Sequence, residues 1–361
     1  MAELETKLAL VREAMARHGL TAVRLRGVDW FAWATCGGSS VVILTAEAGV
    51  AEALITRDDA WAVTDAIEAA RLREEELPLG FDLWAAPWND PAARDEFVRG
   101  RAGTIVASDR PAPGERPLPP ELVVAKRRLL PQEVARYRVL GADAARAVSE
   151  ALRRARPDET ERELAGAAAR ALWARGIHPT LTLVAGERRL PRYRHPTAGA
   201  DRLGGRAMLV VCGRRHGLYA NLTRFVYFRP PTNEERRLTA DVTAVEAAAW
   251  AASRPGAPLG AVYDAIVRAY AERGHPGAEE GHHQGGTTGY LSREVVALPG
   301  DPTVIEDGTA LAWNPSLPGA KIEDTVLTTE QGIEILTDDP AWPSVTVAGR
   351  RRPDLLVRSD A

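Results

Sequence analysis

The chain repeats itself at a fixed spacing. Pro157 pairs with Pro255, Ala167 with Ala265, Arg170 with Arg268, Ala171 with Ala269, Arg175 with Arg273 and Gly176 with Gly274, each pair 98 residues apart. Each copy is expected to be a helix opened by proline and closed by glycine, because proline tolerates the first helical turn and glycine the left-handed residue after the last one. The segments C-terminal to the two helices are also related. Leu209, Gly217 and Asn221 map onto Leu311, Gly319 and Glu323, 102 residues on. Both stretches read as a strand, a turn glycine and a second strand, which makes a hairpin. Two αβ halves related by a pseudo-twofold are expected to pack as sheets with helices outside, and a pocket between such halves is the natural ligand site. The pseudo-repeats run over about 131–235 and 236–340.

A chain of 361 residues is too long for one ordinary core. Residues 111–120, PAPGERPLPP, carry five prolines in ten positions and are expected to form a stiff linker between domains 1–120 and 121–361. In the first domain Leu4, Leu8, Val11 and Met15 mark one helical face ended by Gly19. Ser40–Leu44, Ala53–Thr56 and Thr104–Ala107 read as short strands, with a helix near Ala60–Leu72. The fold class is therefore mixed α/β in both domains. A helix opened at Pro131 is expected to run to Arg156.

The composition narrows function. A net charge of −3 offers no general attraction to nucleic acid or anionic membrane, and no apolar run approaches a membrane span. A cytoplasmic protein is expected. Two cysteines, Cys36 and Cys212, make neither a disulfide framework nor a zinc set. Lysine occurs only at Lys7, Lys126 and Lys321, so all but three of the 46 basic residues are arginine. Six of the seven histidines lie in the second domain. They fall in or beside polar clusters such as Arg192–Pro196, Cys212–Arg224 and Glu279–Glu294, with Trp313–Pro315 and Lys321–Thr325 further on. Histidines beside glycine-rich turns, gathered by a pseudo-symmetric sheet, are the set a catalytic pocket requires. The glycines at 285, 286 and 289 match no phosphate-binding loop.

This layout resembles the pita-bread family of aminopeptidase P, prolidase, methionine aminopeptidase and creatinase. The resemblance implies a small α/β N-terminal domain, a linker and a duplicated catalytic domain. Dinuclear members of that family hold two metals with two aspartates, a histidine and two glutamates. Carried onto this sequence, those positions fall on Val211, Asn221, His282, Asn314 and Glu323. Only His282 and Glu323 remain good ligands. A pair of hard divalent ions needs several carboxylates to offset its charge, so no metal and no cofactor is expected.

Creatinase dispenses with metal, and the chain is similar to it in several details. The creatinase histidine corresponds to His195, its hairpin cysteine to Cys212, its arginine–glutamate pair to Arg293-Glu294 and its last glutamate to Glu323. One departure is Thr223, which stands where creatinase has a glutamate. The resemblance implies a homodimer and a metal-independent enzyme that hydrolyses a carbon–nitrogen bond of a small carboxylate-bearing substrate. His195 would move the proton, and His282, oriented by Glu323, would hold the group that gains charge. Arg224 or Arg293 would clamp a substrate carboxylate. Tyr219, Asn221, His283 and Asn314 are further candidates for the lining, with His283 on the opposite face of a strand from His282. The alternatives are a lyase or rearrangement on the same fold, and a catalytically dead aminopeptidase P-like binding module.

Overall fold

The computed structural model describes residues 2–358. The chain divides into two compact units, Met1–Glu133 with His216–Leu218, and Val134–Arg215 with Tyr219–Ala361.

The first unit is built on a six-stranded sheet. Its order is Asp82–Ala86, Ala60–Asp65, Ala48–Thr56, Ala22–Gly27, Val106–Ser108 and Arg116–Pro117. The first helix, Ala2–His18, buries Leu4, Val11 and Met15 as its spacing predicts, and Gly19 takes the left-handed conformation that ends it. Two local expectations fail. Ser40–Leu44 is irregular, with Val42 and Ile43 exposed, and Ala60–Asp65 is a strand rather than the start of a helix. The proline-rich stretch is more than a linker, because Arg116–Pro117 pairs with Val106–Ser108 at the sheet edge and Pro120 opens a helix. An edge strand is where a proline lacking its N–H is tolerated.

The second unit shows the duplication directly. Helices Glu161–Trp173 and Leu259–Glu272 start 98 residues apart. Both end on a glycine with positive φ, Gly176 and Gly274. The closing hydrogen bonds also match: Ile177 N–H to Leu172 O at 3.0 Å and His275 N–H to Tyr270 O at 2.9 Å. These are the six-to-one bonds of a Schellman cap, repeated in both halves. A longer helix precedes each one, Pro131–Arg154 and Asn233–Ala252.

Each half contributes a sheet. The first orders Leu356–Val357, Leu218–Tyr227, Arg206–Arg215 and His178–Gly186. The second orders Val295–Val296, Gly285–Thr288, Ala310–Trp313, Asp324–Thr329 and Gly332–Ile335. They meet along the pseudo-twofold at an antiparallel bridge between Thr223 and Glu323. Beside it the Asn221 N–H donates to Thr325 Oγ1 at 2.7 Å, and that hydroxyl donates back to Asn221 O at 3.0 Å. Leu311, Trp313 and Val326 from the second sheet pack with Val245, Val262 and Ile266 from its helices into one buried apolar core. Asp324 anchors the seam from below. It accepts from Arg224 at 2.8 Å, from Arg352 at 2.9 Å and from the Thr337 hydroxyl at 2.6 Å.

Candidate active site

An open cleft of about 410 Å³ lies in the second unit, lined by His195, His283, Arg293, Asn314, Lys321 and Glu323 together with Cys212 and apolar strand residues. His195 comes from the loop between His178–Gly186 and Arg206–Arg215. The loop is fastened to the strand by the Val184 N–H, which donates to Pro196 O at 3.1 Å, and by a bridge between Leu183 and Thr197. His282 caps the short 3-10 helix Ala278–Gly281, three residues before a strand. Gln284, fully buried, donates to the His282 carbonyl, and its own oxygen lies 3.2 Å from the Tyr270 hydroxyl. The next residue must be glycine, since Gly285 has φ +101° and a Cβ there would collide with Ala312 O.

These two loops bring three imidazoles together. His195 Nε2 and His282 Nε2 are 2.8 Å apart. The His283 ring stacks on His282 with centroids 4.4 Å apart, and lies 5.9 Å from His195. This corrects the expectation that His283 faces away. Residues 282–284 are not strand, so strand alternation does not apply to them. Burial, followed by the charge of Lys321, pushes His282 down to about 3. Burial and then the Arg293 charge push His283 to about 4. His195 is lowered as well, by burial first and Lys321 second. All three rings are neutral at pH 7. The 2.8 Å contact is therefore a hydrogen bond from one neutral ring to the lone pair of the other. The His282 Nδ1 is buried without a partner. A stranded N–H costs more than a stranded lone pair, so His282 Nε2–H is the better donor and His195 Nε2 the acceptor.

Glu323 is fully committed. It accepts from Arg293 at 2.5 Å and from the Thr223 hydroxyl at 3.2 Å, with Lys321 Nζ at 3.5 Å. Burial alone would raise its carboxyl, but Lys321 and Arg293 outweigh burial and hold it at about 2. It makes no hydrogen bond to His282 among the described residues, so the expected Glu323–His282 orientation is replaced by a Glu323–Arg293–Lys321 cluster. Lys321 itself was missed as a site residue. Its signal was available: one of three lysines in an arginine-rich chain, two positions from Glu323 in an extended segment and hence on the same face.

The remaining candidates divide. Arg293 keeps a buried Nε–H without a partner. Asn314, 2% exposed, keeps an unpartnered side-chain oxygen in the cleft lining. Arg224 is corrected: its guanidinium is buried and donates to Asp324, to Thr337 O at 2.9 Å and to Thr223 O at 2.9 Å, so it braces the seam. Asn221 is buried outside the lining and donates to Thr288 Oγ1 at 3.0 Å. Tyr219 lies under the Arg214 guanidinium, 5.8 Å from ring centroid to carbon, also outside the lining. The Cys212 thiol is pushed up to about 12 by burial and then by the Glu323 charge, so it is no thiolate nucleophile.

The five positions that hold two metals in dinuclear relatives do not fit that role here. Val211 is a buried strand residue without a donor, Asn221 and Asn314 offer only neutral oxygens, and both Glu323 oxygens are engaged by other side chains. One histidine remains, too little charge and too few ligands for a hydroxide-bridged pair.

Comparison with known proteins agrees with this architecture. The prolidase from Pyrococcus horikoshii OT3 superposes with a TM-score of 0.76 at 19% identity, covering 92% of this chain and 98% of that one. The X-Pro aminopeptidase from Thermotoga maritima MSB8 gives 0.77 at 17% identity over 98% and 99%. The N-terminal domain of FACT complex subunit SPT16 from Cicer arietinum gives 0.70 at 11% identity over 93% and 96%. These likenesses establish the pita-bread fold. In sequence, the agropine synthesis cyclase of Rhizobium rhizogenes is 30% identical over 154 residues, and the match spans 40% of this chain and 39% of that protein. The description "Metallopeptidase family M24" matches residues 135–330, more than half of the chain and most of the second unit. By that match, the chain belongs to metallopeptidase family M24.

Proposed function

We propose that this family member is a metal-independent enzyme that hydrolyses a carbon–nitrogen bond of a small carboxylate-bearing substrate. One observation carries the reading: a neutral imidazole pair at 2.8 Å, His195 and His282, whose His195 lines a cleft that also holds Arg293 and Lys321. With a base neutral at pH 7, no metal is needed to remove a proton from water. The substrate carboxylate takes the unpartnered Arg293 Nε–H, and Asn314 Oδ1 accepts an N–H or O–H of the substrate. Lys321 and Arg293 against the single charge of Glu323 leave the cleft with net positive charge, which favours an anion.

The step balances without a cofactor. His195 Nε2 releases the His282 hydrogen bond and takes a proton from water as the oxygen adds to the carbon. The resulting imidazolium returns that proton to the departing nitrogen as the carbon–nitrogen bond breaks. His282 Nε2–H is then free to donate to the atom that gains negative charge.

A second reading is ring closure, favoured by the name of the Rhizobium rhizogenes relative. There a hydroxyl or amine of the substrate attacks the carbon of the substrate's own protonated carboxyl group; His195 takes the nucleophile's proton and returns it to the departing carboxyl hydroxyl, which leaves as water. The test is a panel of small carboxylates bearing guanidino, amide and polyhydroxyl groups, screened by thermal shift and then by mass spectrometry of each hit. Cleavage into two products that together gain one water supports hydrolysis. Loss of one water from an intact substrate supports cyclisation. Binding without conversion of any hit would sink both, and leave a binding module on this fold.

A further inference from the structure

We propose that His195, His282 and His283 form a site for one divalent transition-metal ion of the zinc, nickel or copper class. Each ring offers one nitrogen, and the three ligand atoms lie within 4.8 Å of one another. Zinc–imidazole bonds of about 2.0–2.1 Å in tetrahedral geometry place ligand nitrogens about 3.3 Å apart. The farthest pair therefore closes by at most about 1.5 Å, within reach of side-chain rotation. His195 and His282 part slightly from 2.8 Å as the shared proton leaves and both lone pairs turn to the ion.

The cluster has the features an ion needs. His195 and His283 stand at the solvent edge and give an entry path, while His282 is 9% exposed and fixes the inner position. Ligation through His282 Nε2 moves that ring's proton to its buried, unpartnered Nδ1, a cost that the metal bond must exceed. The donor set is all nitrogen and uncharged, because Glu323 is held by Arg293 and Lys321. Such a set selects metals high in the Irving–Williams order and discriminates against manganese and magnesium, which want carboxylate oxygen. The two neighbouring cations oppose a bare dication and favour an anion as the fourth ligand, on the side open to the cleft.

This site differs in ligands and stoichiometry from a dinuclear centre, and it does not depend on the proposed reaction. An ion there removes the His195 lone pair that proton transfer needs, so occupancy should silence the hydrolysis proposed above. The experiment titrates full-length protein, stripped with chelator, with zinc against a chromophoric competitor and with cobalt by its visible absorption. One equivalent should bind, tighter for zinc than for manganese. Each of His195→Ala, His282→Ala and His283→Ala should weaken zinc binding by more than about 100-fold, since even residues that only support a ligand cost about 10- to 100-fold. His178→Ala, a histidine of the same unit tilted against Trp173 with ring centroids 4.8 Å apart, should leave affinity unchanged. Thermal melts check that every variant is folded. Two bound equivalents, a preference for manganese, zinc affinity unchanged in His283→Ala, or no binding at micromolar zinc would each overturn the site. If zinc binds as described but turnover requires it, the metal-free reaction falls and the site stands.

Discussion

Arg224 and Arg293 are both hydrogen-bonded to acidic residues of the Lys321–Thr325 segment, yet the structure gives them opposite jobs, and methionine at each position separates them. Arg224 is 5% exposed and bonds to Asp324 and the Thr337 carbonyl. Removing one partner of a buried ion pair costs about 3–5 kcal/mol. Asp324 keeps Arg352 at 2.9 Å and the Thr337 hydroxyl at 2.6 Å, so its carboxylate is not stranded. That puts Arg224→Met at the lower end, about 3 kcal/mol, with about 1 kcal/mol more for each of the Thr337 and Thr223 carbonyls left without this donor. Arg293 has a side chain 16% exposed at the cleft, and Glu323 retains Lys321 and Thr223. Its loss removes one charge-assisted hydrogen bond that water can partly replace, about 2 kcal/mol. Binding inverts the order. Loss of a carboxylate clamp at Arg293 should weaken a small carboxylate ligand by at least about 30-fold. Folded Arg224→Met should bind it within a few-fold of the parent. Hydrogen exchange over residues 320–337 at increasing urea reads the stability, and isothermal titration reads the ligand. An Arg224→Met protein with undiminished protection and abolished carboxylate binding would refute the assignment of Arg224 to the seam.

The same geometry sets the remaining expected outcomes. His195→Ala should lose about 100- to 10,000-fold in turnover, the worth of a positioned general base, while keeping its melting temperature and most of its ligand affinity. The acid limb of kcat/KM should lie below about pH 6.5, the ordinary histidine value, because lowered imidazole pKa values keep the neutral base populated as pH falls; Lys321→Met, which removes a charge that depresses His195 and His282, should move that limb to higher pH. Gly285→Ala should destabilise the second unit and disturb the imidazole cluster together, read as a lower melting temperature and shifted histidine ring resonances. A dimeric mass in sedimentation at micromolar concentration is expected from the creatinase resemblance, and a fully active monomer would argue against it.

The sequence exposed the duplication because a helix cap leaves residue-level traces: Gly176 and Gly274 sit where only a left-handed residue closes the last turn. Elsewhere local preference lost to tertiary context. The apolar run at Val42–Leu44 joins no strand, whereas Ala60–Asp65, with Trp61, Val63 and Thr64, is a strand as its own residues favour. Within the site, His195 and His282 were visible from their surroundings, and the structure brings them into contact. Strand alternation puts His283 on the far face, but the segment becomes strand only at Gly285, so His283 joins the other two rings. The partners of Glu323 depend on which side chains the folded seam presents, although the two-residue spacing to Lys321 already implied a shared face.

Tyr270 gives the site a remote adjustment. Its ring lies fully buried on the helix Leu259–Glu272, and its hydroxyl accepts the Ser316 N–H at 2.7 Å while touching Gln284 at 3.2 Å. Gln284 in turn holds the His282 carbonyl, and Ser316 stands two residues after Asn314. One phenol thus ties a helix outside the cleft to both the imidazole loop and the asparagine turn. A substitution that shifts that helix is expected to change the gap between His282 and Asn314 without touching either. Selection acting on substrate size therefore has a route through the helix as well as through the cleft wall, and random mutagenesis for altered substrate range should recover changes there.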